Sequence, residues 1–329
     1  MPVLRQLEQL PPSALGGAVA IGNFDGVHRG HQRIIERLIA RAEAAGGPSL
    51  VFTFDPHPVR LLRPEQCPPP LTWTERKAEL LEDLGVEWVV AYPTDLALLG
   101  LSARAFYDRI VCGALRARAL VEGPNFSFGR DREGDVAQLA RWAADTGIAL
   151  EVVPPVAESG AIVSSSRIRE LLAAGAAAEA ARLLGRPYRI RGMVTHGAGR
   201  GATLGFPTAN LEAIDTLLPS PGVYAGTAFA AGETCAAAIH LGPNPTFGQG
   251  RPKVEVHLID RQAALYGLPL EVEFLTRLRD VVAFPSVEAL VQQLQRDVDQ
   301  ARHVVEWGEA AAVRRPSPAA RSLSREGSS

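Results

Sequence analysis

The feature that most constrains this fold is a change of hydrophobic rhythm at Arg186-Pro187. Ahead of it, apolar β-rich runs at 18–21, 49–54, 88–92, 119–122 and 150–153 alternate with helical spacing at 32–45, 75–84, 103–115, 136–146 and 167–184. Strands alternating with helices predict a parallel α/β sheet. Beyond it, glycines become frequent and short β-rich pieces appear at 188–194, 222–229, 236–241, 254–259 and 270–274. These predict a small β-barrel or sandwich. A last helix is expected over 287–306, with Leu290, Leu294, Val298 and Ala301 on one stripe. The 329 residues suit two domains, expected at 1–185 and 186–308, and the Ala/Ser/Arg/Pro-rich 309–329 reads as a disordered tail.

Composition excludes several function classes. A net charge of −2 gives no bulk reason for nucleic acid or anionic membrane as a partner. No apolar run approaches the roughly 18 residues of a membrane span, and Met1 to Leu15 lacks signal-peptide character. Cys67, Cys112 and Cys235 fit no disulfide or zinc spacing, which points to reduced thiols in a cytoplasmic protein. Of 34 basic residues only Lys77 and Lys253 are lysines. Arginine suits phosphate recognition, but genomic base composition explains the bias as well. The sequence leaves self-association into a homo-oligomer open.

Candidate chemistry begins at the strand–helix turn Gly22-Asn23-Phe24-Asp25-Gly26-Val27-His28-Arg29-Gly30-His31. Ligands of open α/β sheets bind at such turns, and a helix N-terminus attracts anions. Two imidazoles there suggest chemistry on a phosphate. Three further segments are candidates for the same crevice. Phe54-Asp55-Pro56-His57-Pro58 exits a strand abruptly and is, alone, more often a plain loop. Glu122-Gly123-Pro124-Asn125-Phe126-Ser127-Phe128-Gly129 offers an aromatic pair that could be core or could flank a flat ring. Ser164-Ser165-Ser166-Arg167-Ile168-Arg169 is ordinarily a helix cap, but it also suits a phosphate clamp.

In this order the four segments resemble the adenylyltransferase half of the bacterial bifunctional riboflavin kinase/FAD synthetase family, over residues 15–184. The resemblance implies a Rossmann-like nucleotidylyltransferase domain. His28 and His31 would stabilise the ATP phosphates while the FMN phosphate attacks the α-phosphorus. Gly22, Phe24, Ser164, Ser165, Ser166 and Arg169 would bind ATP and its phosphates. Pro56, His57, Pro58, Asn125 and Phe128 would hold the flavin. Ser166 stands where the family usually has threonine and keeps the hydroxyl.

The second half opens with His196-Gly197-Ala198-Gly199-Arg200-Gly201-Ala202-Thr203-Leu204-Gly205-Phe206-Pro207-Thr208-Ala209-Asn210. Alternating glycines expose backbone N–H groups as phosphate nests do, although ordinary turns explain most such runs. Neither a Walker A motif nor a dinucleotide fingerprint is present. Thr208 and Asn210 offer two oxygens of the type Mg²⁺ takes beside water and phosphate. Strand alternation puts Glu255, His257 and Ile259 on one face, with Val254, Val256 and Leu258 on the other. A strand carboxylate is normally solvated, but a kinase acting on an alcohol needs a base.

This string, with Pro221-Gly222-Val223-Tyr224-Ala225-Gly226, Asn244-Pro245-Thr246-Phe247-Gly248, Val254-Glu255-Val256-His257 and Leu265-Tyr266-Gly267, resembles riboflavin kinase over 186–305. The resemblance implies a six-stranded split β-barrel with a C-terminal helix. Gly197, Gly199 and Gly201 would cradle phosphates, Thr208 and Asn210 would lie near Mg²⁺-ATP, Glu255 would be the base, and Arg279 would lie near the flavin. His240 stands where the family usually has asparagine, and Val281 where a polar residue often follows Leu-Arg-Asp. Both lie outside the presumed catalytic set. The whole implies riboflavin and ATP giving FMN and ADP, then FMN and ATP giving FAD and pyrophosphate, with Mg²⁺ in both steps. The alternatives are a nucleotidylyltransferase for another phosphorylated acceptor, a non-catalytic flavin- or nucleotide-binding regulator, and a chain with one active domain.

Overall fold

Four consecutive apolar residues, Ala18–Ile21, form strand β1, and all four side chains are buried. Burial on both faces is the mark of a helix-covered parallel sheet. The structure, a computed structural model, describes residues 3–197, 199–230, 232–244, 249–261 and 265–313. In it β1 pairs in parallel with Ser49–Asp55 (β2), which pairs with Trp88–Pro93 (β3). On its other side lie Ala119–Glu122 (β4) and Ala149–Val152 (β5). The order β3-β2-β1-β4-β5 reverses direction between β1 and β4, so the crevice for a ligand opens at their carboxyl ends.

Alternate side chains feed two cores. Val19, Ile21, Leu50, Phe52 and Leu120 meet Phe106 and Tyr107 on one face. Ala18, Ala20, Val51 and Val121 take helix Arg29–Ala45 (α1) and helix Thr74–Asp83 (α2) on the other, where Ile35, Leu38 and Leu81 are fully buried. Each such side chain contributes about 2 kcal/mol. Ile34 and Ile39, expected on the buried face of α1, lie half-buried at its margins. Helix Val136–Thr146 (α3) spans the expected residues.

Two helical expectations change. The segment 103–115 begins as an α-helix at Ala103–Phe106 and continues as a π-helix, Tyr107–Ala114. The segment 167–184 is two helices, Ser165–Ala173 (α4) and Ala177–Leu184 (α5). The break falls at Gly175, whose φ of +77° a continuous helix cannot contain. The surrounding alanines keep the apolar pattern running through the break and hide it from periodicity.

The second half closes into a barrel of Tyr188–Thr195 (β6), Ala209–Glu212 (β7), Gly222–Ala230 (β8), Glu233–Asn244 (β9), Gln249–Leu258 (β10) and Pro269–Arg279 (β11). The order is β6-β7-β10-β9-β8-β11, every pair antiparallel, with β11 returning to β6. Tyr188, Ile190, Tyr224, Ile239, Val256, Leu270, Val272 and Phe274 are almost wholly buried. Helix Val287–Val313 (α6) lays Val298 and Ala301 against Ala225, Ala236 and Ala238. It runs past the expected end at Glu306; Ala198, residues 245–248 of the Asn244 motif and 314–329 of the expected tail lie outside the described residues.

The chain divides into two compact units, Met1–Glu170 with Leu183–Arg186 and Asp215–Leu217, and Leu171–Arg182 with Pro187–Ile214 and Leu218–Ser329. The sequence boundary at 185/186 falls within this exchange of short segments.

Candidate active sites

In the first unit the turn after β1 is held in an unusual backbone conformation. Phe24 and Val27 have φ of +46° and +39°. Positive φ is rare for a β-branched residue, and such outliers gather at functional sites. The surroundings enforce it. The buried Asp25 carboxylate accepts from the backbone N–H groups of Leu71 (2.9 Å) and Thr72 (3.2 Å). Ser165 Oγ donates to the Asp25 carbonyl at 2.9 Å. Arg186 donates to the carbonyls of Gly26 (2.7 Å) and Val27 (3.2 Å).

This frame delivers the histidine pair to the N-terminus of α1. His28 is the N-cap, and its Nδ1 accepts from the His31 backbone N–H at 3.3 Å. That bond assigns the proton of a neutral His28 to Nε2, which is left as the ring's donor. The two rings stack at 3.6 Å between centroids. Burial lowers the His28 pKa to about 4, with the Arg186 charge acting in the same direction. Burial also lowers His31 strongly, reinforced by His28, Lys77 and Arg186. Burial therefore holds both imidazoles neutral at pH 7. His31 Nδ1 and Asn23 Oδ1 are buried without hydrogen-bond partners among the described residues, which marks a site shaped for something polar.

The other expected residues are placed differently from one another. Arg169 and Ser165 join the turn. Arg169 forms an ion pair with Asp25, while Ser164 Oγ caps α4 by accepting from the Arg167 N–H at 3.2 Å. Ser166, in the first turn of α4, is exposed. His57 caps the short helix Pro58–Leu62, accepting from Val59 N–H at 3.1 Å. Its pKa is lowered chiefly by burial, and the Asp25 charge opposes this. Pro56 follows a cis peptide bond and accepts from Thr94 Oγ1 at 2.6 Å. Gly22 and Phe24 are supports: the Phe24 ring covers Gly22 and lies 5.2 Å from the His31 ring. Asn125 is exposed, whereas Phe128 lies in the core beside Phe106 and Trp142.

Sequence reasoning quoted Asp25 and Glu122 only as members of candidate segments and gave no role to them, to Lys77 or to Arg186. The Lys77 ammonium is buried, which lowers its pKa, and Nζ donates to Thr53 Oγ1 at 3.4 Å. Glu122 is buried at the end of β4, where it accepts from the Ile21 N–H at 2.8 Å; desolvation raises its pKa well above the carboxylate range. A lone lysine in a charged helix carries no motif, and a glutamate closing an apolar strand reads as the strand's end rather than as part of the site.

The second unit holds a cavity of about 210 Å³ on the outer wall of the barrel, bounded by the 197–208 loop and α6. Glycine spacing shapes its mouth. A Cβ on Gly197 would fall 2.1 Å from Asn210 Nδ2, and one on Gly201 would fall 2.4 Å from the Phe206 carbonyl. Strand register then lines up one row across the wall: Asn210 opposite Glu255, Glu255 opposite His240, His240 opposite Val223, and Val223 opposite Arg279. All five line the cavity with Thr208, Gly197, Gly199 and Gly201. The alternation on β10 is as expected, with Val254, Val256 and Leu258 buried opposite the Glu255 face.

Three details were not legible. Arg279 is committed to the buried Asp297 of α6, with Nη2 to Oδ2 at 2.7 Å. His257 Nδ1 donates to the Pro207 carbonyl at 2.8 Å and ties β10 to the loop. His240, expected outside the catalytic set, lies with Nδ1 3.5 Å from Glu255 Oε2. Among the described residues no cluster of three His, Cys, Asp or Glu could hold a metal by itself. Thr208 and Asn210 supply neutral oxygens beside a loop that only glycine permits, a donor set that fits a cation carried by phosphates.

Comparison with known proteins decides the family. The profile of the FAD synthetase family matches residues 11–167, and that of the riboflavin kinase family matches 184–305. A bifunctional riboflavin kinase/FMN adenylyltransferase of Pseudomonas fluorescens is 39% identical over 92% of this chain and 97% of its own. This chain belongs to that family. The bifunctional riboflavin kinase/FMN adenylyltransferase of Escherichia coli K12 is 34% identical over the same shares. A crystal structure from Streptococcus pneumoniae, described as a macrolide-efflux protein, superposes with a TM-score of 0.81 at 30% identity, over 92% of this chain and 98% of that one. Among the described residues here, no helix is long and apolar enough to cross a membrane.

Proposed function

We infer that this family member makes FMN from riboflavin and ATP in its second unit, and FAD from FMN and a second ATP in its first. The activities divide near residues 185 and 186, and the free cysteines suit a cytoplasmic enzyme. The observation that carries the reading is the barrel-wall row with Glu255 between Asn210 and His240, in one cavity with Thr208 and the glycine loop.

In the kinase step the ribityl 5′-hydroxyl oxygen attacks the γ-phosphorus, Glu255 takes its proton, and ADP departs. The loop N–H groups of Gly197, Gly199 and Gly201 receive phosphate oxygens, and Arg279, fixed by Asp297, lines the flavin end. Thr208 and Asn210 would hold Mg²⁺, which offsets phosphate charge when bound.

In the transferase step an FMN phosphate oxygen attacks the α-phosphorus and pyrophosphate leaves. No proton need move, so neutral imidazoles suffice: His28 Nε2–H and the His31 ring donate to oxygens whose charge grows in the transition state. The helix N-terminus beneath them adds its dipole. Arg169, Ser164 and Ser165 hold the remaining phosphates, and the loops around Pro56–Pro58, Asn125 and Phe128 bound the flavin.

The test is direct. Purified protein with riboflavin, ATP and Mg²⁺ is expected to yield FMN and then FAD on chromatographic separation of the flavins. No FMN would remove the kinase reading, and FMN without FAD the transferase reading.

A further inference from the structure

We propose that Lys77 is a further substrate-binding residue of the first unit, its ammonium the counter-ion of the FMN phosphate in adenylyl transfer. The inference rests on the transferase reading of that unit. It starts from a charge that the fold leaves unpaired. Lys77 belongs to the buried face of α2 and is only 7% exposed. Among the described residues its ammonium makes a single hydrogen bond, a long one of 3.4 Å to Thr53 Oγ1, and no ion pair. An ammonium carries three donors. The nearby carboxylates are taken by other groups. Asp25 accepts from the Leu71 and Thr72 N–H groups and pairs with Arg169, and Asp55 pairs with Arg5 at 2.8 Å. Both act on Lys77 only as charges at a distance, favouring its protonated form while burial opposes it. A buried cation without a bound carboxylate is strongly disfavoured unless an anion completes the pair.

Location names the anion. Thr53 Oγ1, the acceptor of the ammonium, itself donates to the Asn23 carbonyl at 3.2 Å, inside the histidine turn. Thr53 also stands two residues before Asp55, where β2 ends and the Pro56–Pro58 loop begins. The Lys77 charge is felt by His31 of the turn and by His57 of the loop, and it lowers the pKa of both. The ammonium therefore lies where the segment read as the phosphate site joins the segment read as the flavin site. FMN is the substrate that spans the two, and its phosphate is the anion that falls between them. The other charges of the turn do not serve the same end. Burial holds His28 and His31 neutral, and Arg169 is neutralised by Asp25. Arg186 donates to the carbonyls of Gly26 and Val27. A phosphate oxygen beside Lys77 supplies a charged acceptor and restores the protonated form that burial opposes.

The experiment compares Lys77→Met and Lys77→Gln with the wild type in the full chain. Adenylylation of supplied FMN is measured at varied FMN and varied ATP, with FMN formation from riboflavin and thermal unfolding alongside. In Lys77→Met, kcat/KM for FMN is expected to fall about fiftyfold or more. Most of that fall should be a rise of about tenfold or more in KM for FMN, while KM for ATP moves less than about threefold. FMN formation is expected to stay within about twofold of wild type, since it belongs to the second unit. Because the variant removes a buried charge without a carboxylate partner, its Tm is expected to match or exceed that of the wild type. Lys77→Gln, which keeps a donor for Thr53 but no charge, is expected to be as impaired as Lys77→Met. Unchanged adenylylation in Lys77→Met overturns the proposal, and so does a rise confined to KM for ATP. A loss of adenylylation with a lowered Tm assigns Lys77 to the fold instead, and recovery of FMN affinity in Lys77→Gln removes the role of the charge. If the wild type itself forms no FAD, the transferase reading fails, an outcome separate from these.

Discussion

Acid should destabilise this protein through His28 in a window set by its burial. The folded-state pKa is about 4, against 6.5 for the exposed imidazole. The unfolded chain binds a proton as pH falls below 6.5, while the folded chain resists until about 4. The stability is present above pH 6.5 and lost as pH falls toward 4. A gap of that size corresponds to about 3 kcal/mol in full, and to about 2.5 kcal/mol by pH 4.5. His28→Asn is the suitable perturbation because asparagine is also a good N-cap, able to accept the His31 N–H, yet does not titrate. Urea unfolding of wild type and variant, followed by tryptophan fluorescence between pH 7.5 and 4.5, isolates the effect from the carboxylates common to both. The wild type is expected to lose about 2.5 kcal/mol more than His28→Asn over that range. Parallel curves would refute the reasoning, since His28 would then not be held neutral by burial.

Other expectations follow from the same structure. Glu122→Gln keeps an acceptor for the Ile21 N–H and removes a charge that burial disfavours. Because the folded pKa is raised, the wild-type contribution is lost as pH rises, so the variant is expected to melt higher at pH 8, with the gap closing toward pH 4.5. Asp25→Ala strips the acceptor from the Leu71 and Thr72 N–H groups and leaves Arg169 unpaired; a loss of about 3 kcal/mol in urea unfolding and of FAD formation is expected. Gly197→Ala places a methyl where Asn210 lies; a rise of at least tenfold in KM for ATP of the kinase step is expected, with adenylylation of supplied FMN unaffected.

What the sequence made legible was whatever periodicity or a contiguous motif carries. The βα alternation, five of the six barrel strands and the His28-to-His31 turn were readable because their signals are local. β7 escaped because its first two residues, Ala209 and Asn210, close the Phe-Pro-Thr-Ala-Asn motif, which reads as a loop, and only two residues follow them. The break at Gly175 escaped because alanines on both sides sustain the helical pattern. The supporting residues escaped for a different reason. Arg186 reaches carbonyls about 160 positions earlier in the chain, and Asp25 meets Arg169 from 144 positions away. Only the fold makes those pairs neighbours. His240 is the instructive case: in the sequence it is a departure outside the presumed catalytic set, and strand register sets it opposite Glu255.

The central claim is that one chain carries two independent flavin-processing sites, and mixing two crippled variants tests it most directly. Glu255→Gln should adenylylate FMN but not make it, and His28→Asn should make FMN but not FAD. Given riboflavin, ATP and Mg²⁺, neither alone should yield FAD, and the mixture should. If either variant lost both steps while still folded, or if the mixture made no FAD, the two-site account would be wrong.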